Sequence, residues 1–346
     1  MEVKLVNTKT EAQETKFYYV TLSHKWGDVP GKKPLRLMKD NLEEFKSGLK
    51  LRDLPKTFRN VIEFAARLSN VQYIWIDSLC IIQDSAEDWL IESSQMHQVY
   101  SRSFLNISAT AAEHSHQGLH SKRNPKLLWE AEVNLNIEGL PESEPEKKKL
   151  DERRDYIRRC TLIDASYCEK LINQASVNKR GWVLQERLLA PRVLHFCQGE
   201  IAWECPEHSA AEGLPWGSPH FQRRRNDTLF AEIPLKGLEP LLHGKALREN
   251  RLQTMPEPDP HLLAEPVSEK RVYAMEIWNR IVEIYSKTEL SFGKDKLPAL
   301  SGIANRMSDD IGSDYLAGLW NWNLPSQLLW MVEPSPVFLL GVSRLA

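Results

Sequence analysis

Trp182 and Glu186 stand four residues apart in Arg180-Gly181-Trp182-Val183-Leu184-Gln185-Glu186-Arg187, a spacing that puts an aromatic ring and a carboxylate on one face of a helix. A carboxylate so placed can stabilise developing positive charge. The same acid can pair with Arg180, Arg187 or Arg192 and only fix the helix. Asp77 ends the apolar run Tyr73-Ile74-Trp75-Ile76, and Asp84 precedes the next helix, so both fall where an α/β sheet presents ligand contacts. Both could also be local capping groups, a reading favoured for Asp84 and left open for Asp77. Ser23-His24-Lys25-Trp26 occupy the loop after a first strand. There Lys25 could meet a phosphate, and Trp26 could stack on a flat ring or pack to close the sheet edge.

Two further constellations have the right residue types. Cys80 could act as a nucleophile with His24 as its base. Its neighbours Leu79, Ile81 and Ile82 favour a buried thiol, whose raised pKa suppresses the thiolate. His195, Cys197, Cys205 and His208 carry zinc-type ligands across a proposed hairpin. His195 and Cys197 also share a strand face and can simply pack there, so no metal is expected.

The elements that position these residues follow from periodicity. Phe17 to Ser23 is aromatic and β-branched and stops at Trp26-Gly27-Asp28, which predicts a strand feeding a loop. Phe58, Val61, Ile62, Ala65 and Leu68 recur at helical spacing behind Asp53 and Pro55. Tyr73 to Asp77 is a nearly continuous apolar run of the kind found in a strand covered on both faces. Ser85 with Asp88 resembles a capping box for a helix buried through Trp89, Met96, Val99 and Tyr100. A third strand is predicted at Phe104 to Ala109. Strand, helix, strand, helix, strand in this order implies parallel pairing through right-handed crossovers. Arg180 to Arg187 reads as a short helix, and Val193 to Cys197 with Ile201 to Glu204 as a hairpin turned at Gln198-Gly199.

Between these elements the chain changes character. About 113–159 is charged and reads as a mobile insertion, with Pro141-Glu142-Ser143-Glu144-Pro145-Glu146 and three lysines. Residues 213–266 read as mostly loop. In 267–346, Ser268 caps a long helix with Val272, Met275, Ile281, Val282 and Tyr285 toward a core, and a second helix spans Ala299 to about Met307. The Trp-rich end is too apolar to be a tail.

Composition narrows the class. At 346 residues, with 42% hydrophobic and 27% charged side chains, the chain can bury a full core. A net charge of -2 from 45 basic and 47 acidic side chains creates no field that draws it to nucleic acid or an anionic membrane. The run Arg223-Arg224-Arg225 reads as a solvated loop. Met1 to Lys16 has no apolar core and no apolar span approaches roughly 20 residues, so a cytoplasmic protein is expected. Five cysteines without a CxxC pair fit reduced thiols.

Four segments, in order and spacing, resemble the heterokaryon-incompatibility (HET) domain family of filamentous fungi. They are Tyr19-Val20-Thr21-Leu22-Ser23-His24-Lys25-Trp26-Gly27, then Tyr73 to Asp84, then Arg180 to Leu189, and Ala317-Gly318-Leu319-Trp320 with Leu328-Leu329-Trp330. The resemblance covers about 17–212, giving a domain at 1–212, and the tail resembles the region that commonly follows it. His24 departs from the family, which most often has an aromatic residue there. The resemblance implies non-self recognition and programmed cell death when genetically different hyphae fuse. It also implies a distant relation to TIR domains, hence an α/β, flavodoxin-like parallel-sheet core with large insertions and a helical C-terminal region. Some TIR domains cleave NAD at the nicotinamide-ribose bond. Trp182 and Glu186 look like their Trp-x-x-x-Glu pattern, with Glu186 catalytic and Ser23, His24, Lys25, Trp26, Asp77 and Trp182 around the nucleotide. Cleavage there passes through an oxocarbenium-like state that a carboxylate can stabilise. NAD would then be a substrate, with no permanently bound cofactor. The alternative is a non-catalytic adaptor that recruits protein partners or oligomerises.

Overall fold

A computed structural model of the chain describes residues 1–8, 18–27, 29–124, 131–136, 157–162, 169–215, 217, 221–223, 229–231, 235–252 and 268–329. Six strands form the central sheet: β1 (Tyr18–Ser23), β2 (Val71–Ile76), β3 (Leu105–Ser108), β4 (Val193–Phe196), β5 (Ile201–Glu204) and β6 (Ser209–Ala211). Its order is β6-β5-β4-β3-β1-β2, with β2, β1, β3 and β4 parallel and β5 and β6 antiparallel. The fold is therefore α/β, but the sheet is mixed and not wholly parallel. The reason is local. The Gln198-Gly199 turn, where Gly199 takes φ +96, sends the chain straight back as a hairpin instead of through a crossover helix.

Strand β1 lies between β3 and the edge strand β2, and alternation gives it two different faces. Val20 and Leu22, with Leu105 and Ile107 beside them on β3, point at helix α1 (Lys56–Ala65), whose Phe58, Val61, Ile62 and Ala65 complete an apolar core. The opposite face is polar. One row across the sheet reads Thr21, Asn106, Val193 and Glu204, and the next reads Ser23, Ser108, His195 and Ala202. Helices α2 (Ala86–Ser101) and α3 (Gly181–Leu189) contribute the side chains that meet those groups. Helix α2 begins as its sequence suggests, with the Ser85 hydroxyl accepting from the Asp88 amide at 3.4 Å. The N-cap is thus Ser85, while Asp84 accepts from the Lys39 amide.

The run Tyr73 to Asp77 is not covered on both faces. It forms the sheet's edge strand β2, and only Ile76 of that strand is buried. Asp77 starts a single helical turn, Asp77–Cys80. Within the charged insertion, Ala131–Asn136 and Ile157–Leu162 pair as an antiparallel hairpin, while the acidic and lysine run between them lies outside the described residues. Arg224, Arg225 and Trp330 lie outside them as well. Among the described residues of 213–266, Pro240–Gly244 forms a π-helical turn that leads into α4 (Lys245–Leu252).

Beyond it, α5 (Glu269–Ser286) and α6 (Pro298–Ile311) build a second core with Leu184 and Leu188 of α3 and the fully buried Trp320. The apolar face of α5 is set by Ala274, Ile277, Trp278 and Ile281, so Val282 turns outward with 37% exposure. At Gly302 of α6 an added Cβ would collide with Gln185 of α3 and His97 of α2. The three helices thus approach closely enough to require a glycine.

Candidate functional site

The polar sheet face needs partners, because hydroxyls and amides removed from water must be hydrogen-bonded. Asn106 Nδ2 donates to the Ser23 hydroxyl at 2.9 Å, and the Thr21 hydroxyl donates to Asn106 Oδ1 at 3.0 Å. Over this row α3 lowers Glu186, whose Oε2 accepts from the Ser23 hydroxyl at 2.5 Å and from the Tyr100 hydroxyl of α2 at 2.9 Å. The residue is 2% exposed. Burial pushes its carboxyl up to about 7, opposed by the Arg180 guanidinium and reinforced by the Asp77 charge. A carboxylate held only by neutral hydroxyls loses its hydration without gaining a full counter-charge.

The other predicted residues sit close by. His24 is buried with its ring edge-on to Phe58 at 5.0 Å, and burial lowers it to about 4, against the pull of Asp77. It is therefore a neutral imidazole, and the 3.6 Å approach of its Nδ1 to Asp77 is a contact and not an ion pair. Asp77 instead accepts from the Trp26 indole at 3.0 Å and from the Ser78 amide at 2.7 Å. Lys25 donates to Ser176 at 2.7 Å and to Glu113 at 3.3 Å. Arg180 donates to the His24 carbonyl, which ties the start of α3 to the loop after β1.

Ser23, His24, Trp26, Asp77 and Glu186 thus gather at the carboxyl end of β1, where the strand order turns from β2 to β3, the place an open α/β sheet offers to ligands. Trp182 does not join them. Its indole donates to Asp295 at 3.3 Å, and its ring meets Trp89 edge-on at 6.2 Å. Of the three arginines expected to pair with Glu186, Arg180 acts on it through its charge while donating to the His24 carbonyl. Arg192 donates to the Phe104 carbonyl, and Arg187 turns to Glu204. Tyr100, Asn106 and Thr21 were missed as site residues. The alternation Leu105-Asn106-Ile107-Ser108 is the signal for Asn106, since a buried strand has no other reason to carry polar groups on one side.

A second polar centre lies two to three strands away on the same face. Arg187 grips Glu204 with two donors, at 2.7 and 2.5 Å, and reaches Asn173 at 2.9 Å. The His195 ring is hydrogen-bonded through Nε2 to Glu204 at 3.0 Å and through Nδ1 to the Thr110 hydroxyl at 3.0 Å. Both ring nitrogens are thus engaged, and the Cys197 thiol is pushed up by burial. Among the described residues no group of three or more His, Cys, Asp or Glu side chains is placed to hold a metal ion. Burial raises the Cys80 thiol to about 12, which removes the thiolate a nucleophile needs. No described helix is long and apolar enough to cross a membrane.

Comparison with curated proteins and with solved structures returned no match. A family model described as heterokaryon incompatibility protein (HET) matches residues 19–186, from the second residue of β1 to the glutamate at the centre of the site, so these residues form a HET domain, which implies a role in heterokaryon incompatibility and cell death.

Proposed function

We propose that this HET domain signals in the cytoplasm as a protein-contact adaptor, in which Glu186 joins β1, α2 and α3 and attacks no substrate. One observation carries this reading: the Glu186 carboxylate is 2% exposed and already accepts the Ser23 and Tyr100 hydroxyls. Its neighbours are committed in the same way, Asp77 to Trp26 and Lys25 to Glu113 and Ser176. A carboxylate that stabilises an oxocarbenium-like ribose must touch the ribose. To do so here, α3 would have to lift from β1 and give up both hydroxyl bonds.

A second reading, cleavage of NAD, is favoured by the place of the cluster, at the carboxyl ends of β1 and β3 where the strand order reverses. It takes Glu186 as the catalytic acid and Ser23, His24, Lys25, Trp26, Asp77 and Trp182 as its surroundings in an opened, oligomeric state. Nicotinamide release by the purified full chain, with and without a crowding agent, separates the two. The adaptor reading expects no release above background from wild type or Glu186→Gln. Release by wild type that disappears in a folded Glu186→Gln protein would replace the adaptor with the enzyme.

A further inference from the structure

A cavity of about 240 Å³ lies on the seam between α3 and the C-terminal helices, walled by Val183, Leu184 and Leu188 on one side and Ile284 of α5 on the other. Five cationic side chains line it: Lys179, Arg187, Lys236, Arg280 and Lys287. Among the described lining residues there are two carboxylates, Glu169 and Glu204, in a chain whose net charge is -2. Glu204 is matched by Arg187, and Glu283 is shared between Arg280 and Lys287. Among the described residues, the lining of the hollow therefore keeps an excess of positive charge.

Lys236 is the innermost of these cations, only 5% exposed. Its ammonium donates to the Arg187 carbonyl oxygen. An ammonium has three N–H donors, and no other hydrogen bond from this one is recorded among the described residues. Burial lowers Lys236 to about 7 even though Glu204 pulls the other way. A buried cation in that position gains from any anion that reaches it.

We propose that this seam cavity binds a small phosphate-bearing molecule, with Lys236 at its inner end and Lys179 and Lys287 at its exposed rim. Phosphate fits better than a carboxylate because its higher charge answers several lysines, each of which acts as a point charge free of bidentate geometry. The volume sets the size. Pockets that enclose drug-sized ligands start at roughly 300 Å³, so a sugar phosphate fits and a whole dinucleotide does not. Because the lining comes from both the HET domain and the helices after it, an occupied cavity would fasten one to the other. The inference does not depend on whether Glu186 is catalytic.

Calorimetric titration of the full chain at constant ionic strength with ribose 5-phosphate, inorganic phosphate and ribose tests it. Binding of ribose 5-phosphate and none of ribose is expected. Equal binding of inorganic phosphate would identify the free ion as the ligand. Lys236→Met should weaken binding by about tenfold or more, equivalent to about 1.4 kcal/mol, and Lys287→Gln by a few-fold at the rim. If neither phosphate compound binds at millimolar concentration, or if folded Lys236→Met binds like wild type, the site does not exist. Should Lys236→Met fail to fold, unchanged affinity in both Lys179→Gln and Lys287→Gln overturns the proposal equally.

Discussion

Two buried glutamates face the same side of one sheet and behave in opposite ways. Glu186 is raised to about 7, whereas Glu204 is held well below the ordinary carboxylate range. Burial pushes both upward, so burial does not separate them. The partner does. Glu186 meets two neutral hydroxyls, and Glu204 meets a guanidinium through two donors together with a histidine. Adjacent residues of α3 produce the contrast, since Glu186 supplies one acid and Arg187 neutralises the other. Desolvation of a carboxylate is overcome by a fork of charged donors and only partly answered by hydroxyls.

The largest effect is expected from removing that fork. Arg187→Met leaves Glu204 buried without its guanidinium, and breaking a buried pair in this way costs about 3 kcal/mol or more. Urea unfolding at neutral pH measures it. The Glu204 carboxyl should then move upward, toward the behaviour of Glu186. A loss below about 1 kcal/mol would mean that His195 and Lys236 already hold Glu204, and the contrast would not rest on the arginine.

Next in size is the pH dependence that distinguishes the two acids. The folded-state pKa of Glu186 lies above its ordinary value of 4.5, so its contribution is fully present below about pH 4.5 and is lost as pH rises through about 7. Glu204 is depressed. Its contribution is present above the ordinary value and is lost only as pH falls through the lowered pKa. Of the two acids only Glu186 should move between about pH 5 and 8, so wild type should lose roughly 1–3 kcal/mol relative to Glu186→Gln across that window. His24, His195 and Lys236, all lowered by burial, are common to the two proteins and cancel in the difference. Parallel stability curves for the two proteins would show that Glu186 titrates normally.

Much of the frame was legible in the sequence, because local periodicity carries it. The order β1, α1, β2, α2, β3 follows from alternation and helical spacing, and the Ser85 cap and the Gln198-Gly199 turn follow from residue type. What periodicity cannot encode is which element lies opposite. An apolar run such as Tyr73 to Ile76 looks the same at the edge of a sheet and in its middle, and here it is the edge. Val282 fits the stripe on α5 as well as Trp278 does, and only the packing of Trp320 against Trp278 selects the buried one. The site was legible to the same depth. The spacing of Trp182 and Glu186 marked the helix, but the partners of Glu186 come from residues 163 and 86 positions away, and nothing local announces Ser23 and Tyr100.

The smallest effect should come from Lys25, which looks like the ligand-ready cation of the loop after β1. Its side chain is 38% exposed and that of Glu113 is 60% exposed, at 3.3 Å. Water and salt screen such a pair, so Lys25→Ala should change stability by no more than about 0.5 kcal/mol, and the change should shrink as salt is added. The loop has stronger anchors, namely the Arg180 donation to the His24 carbonyl and the Trp26 indole on Asp77. A loss well above about 1 kcal/mol that persists in high salt would show that Lys25 orders the rim above Glu186. The sealed state of that acid would then depend on a surface charge that a binding partner could displace.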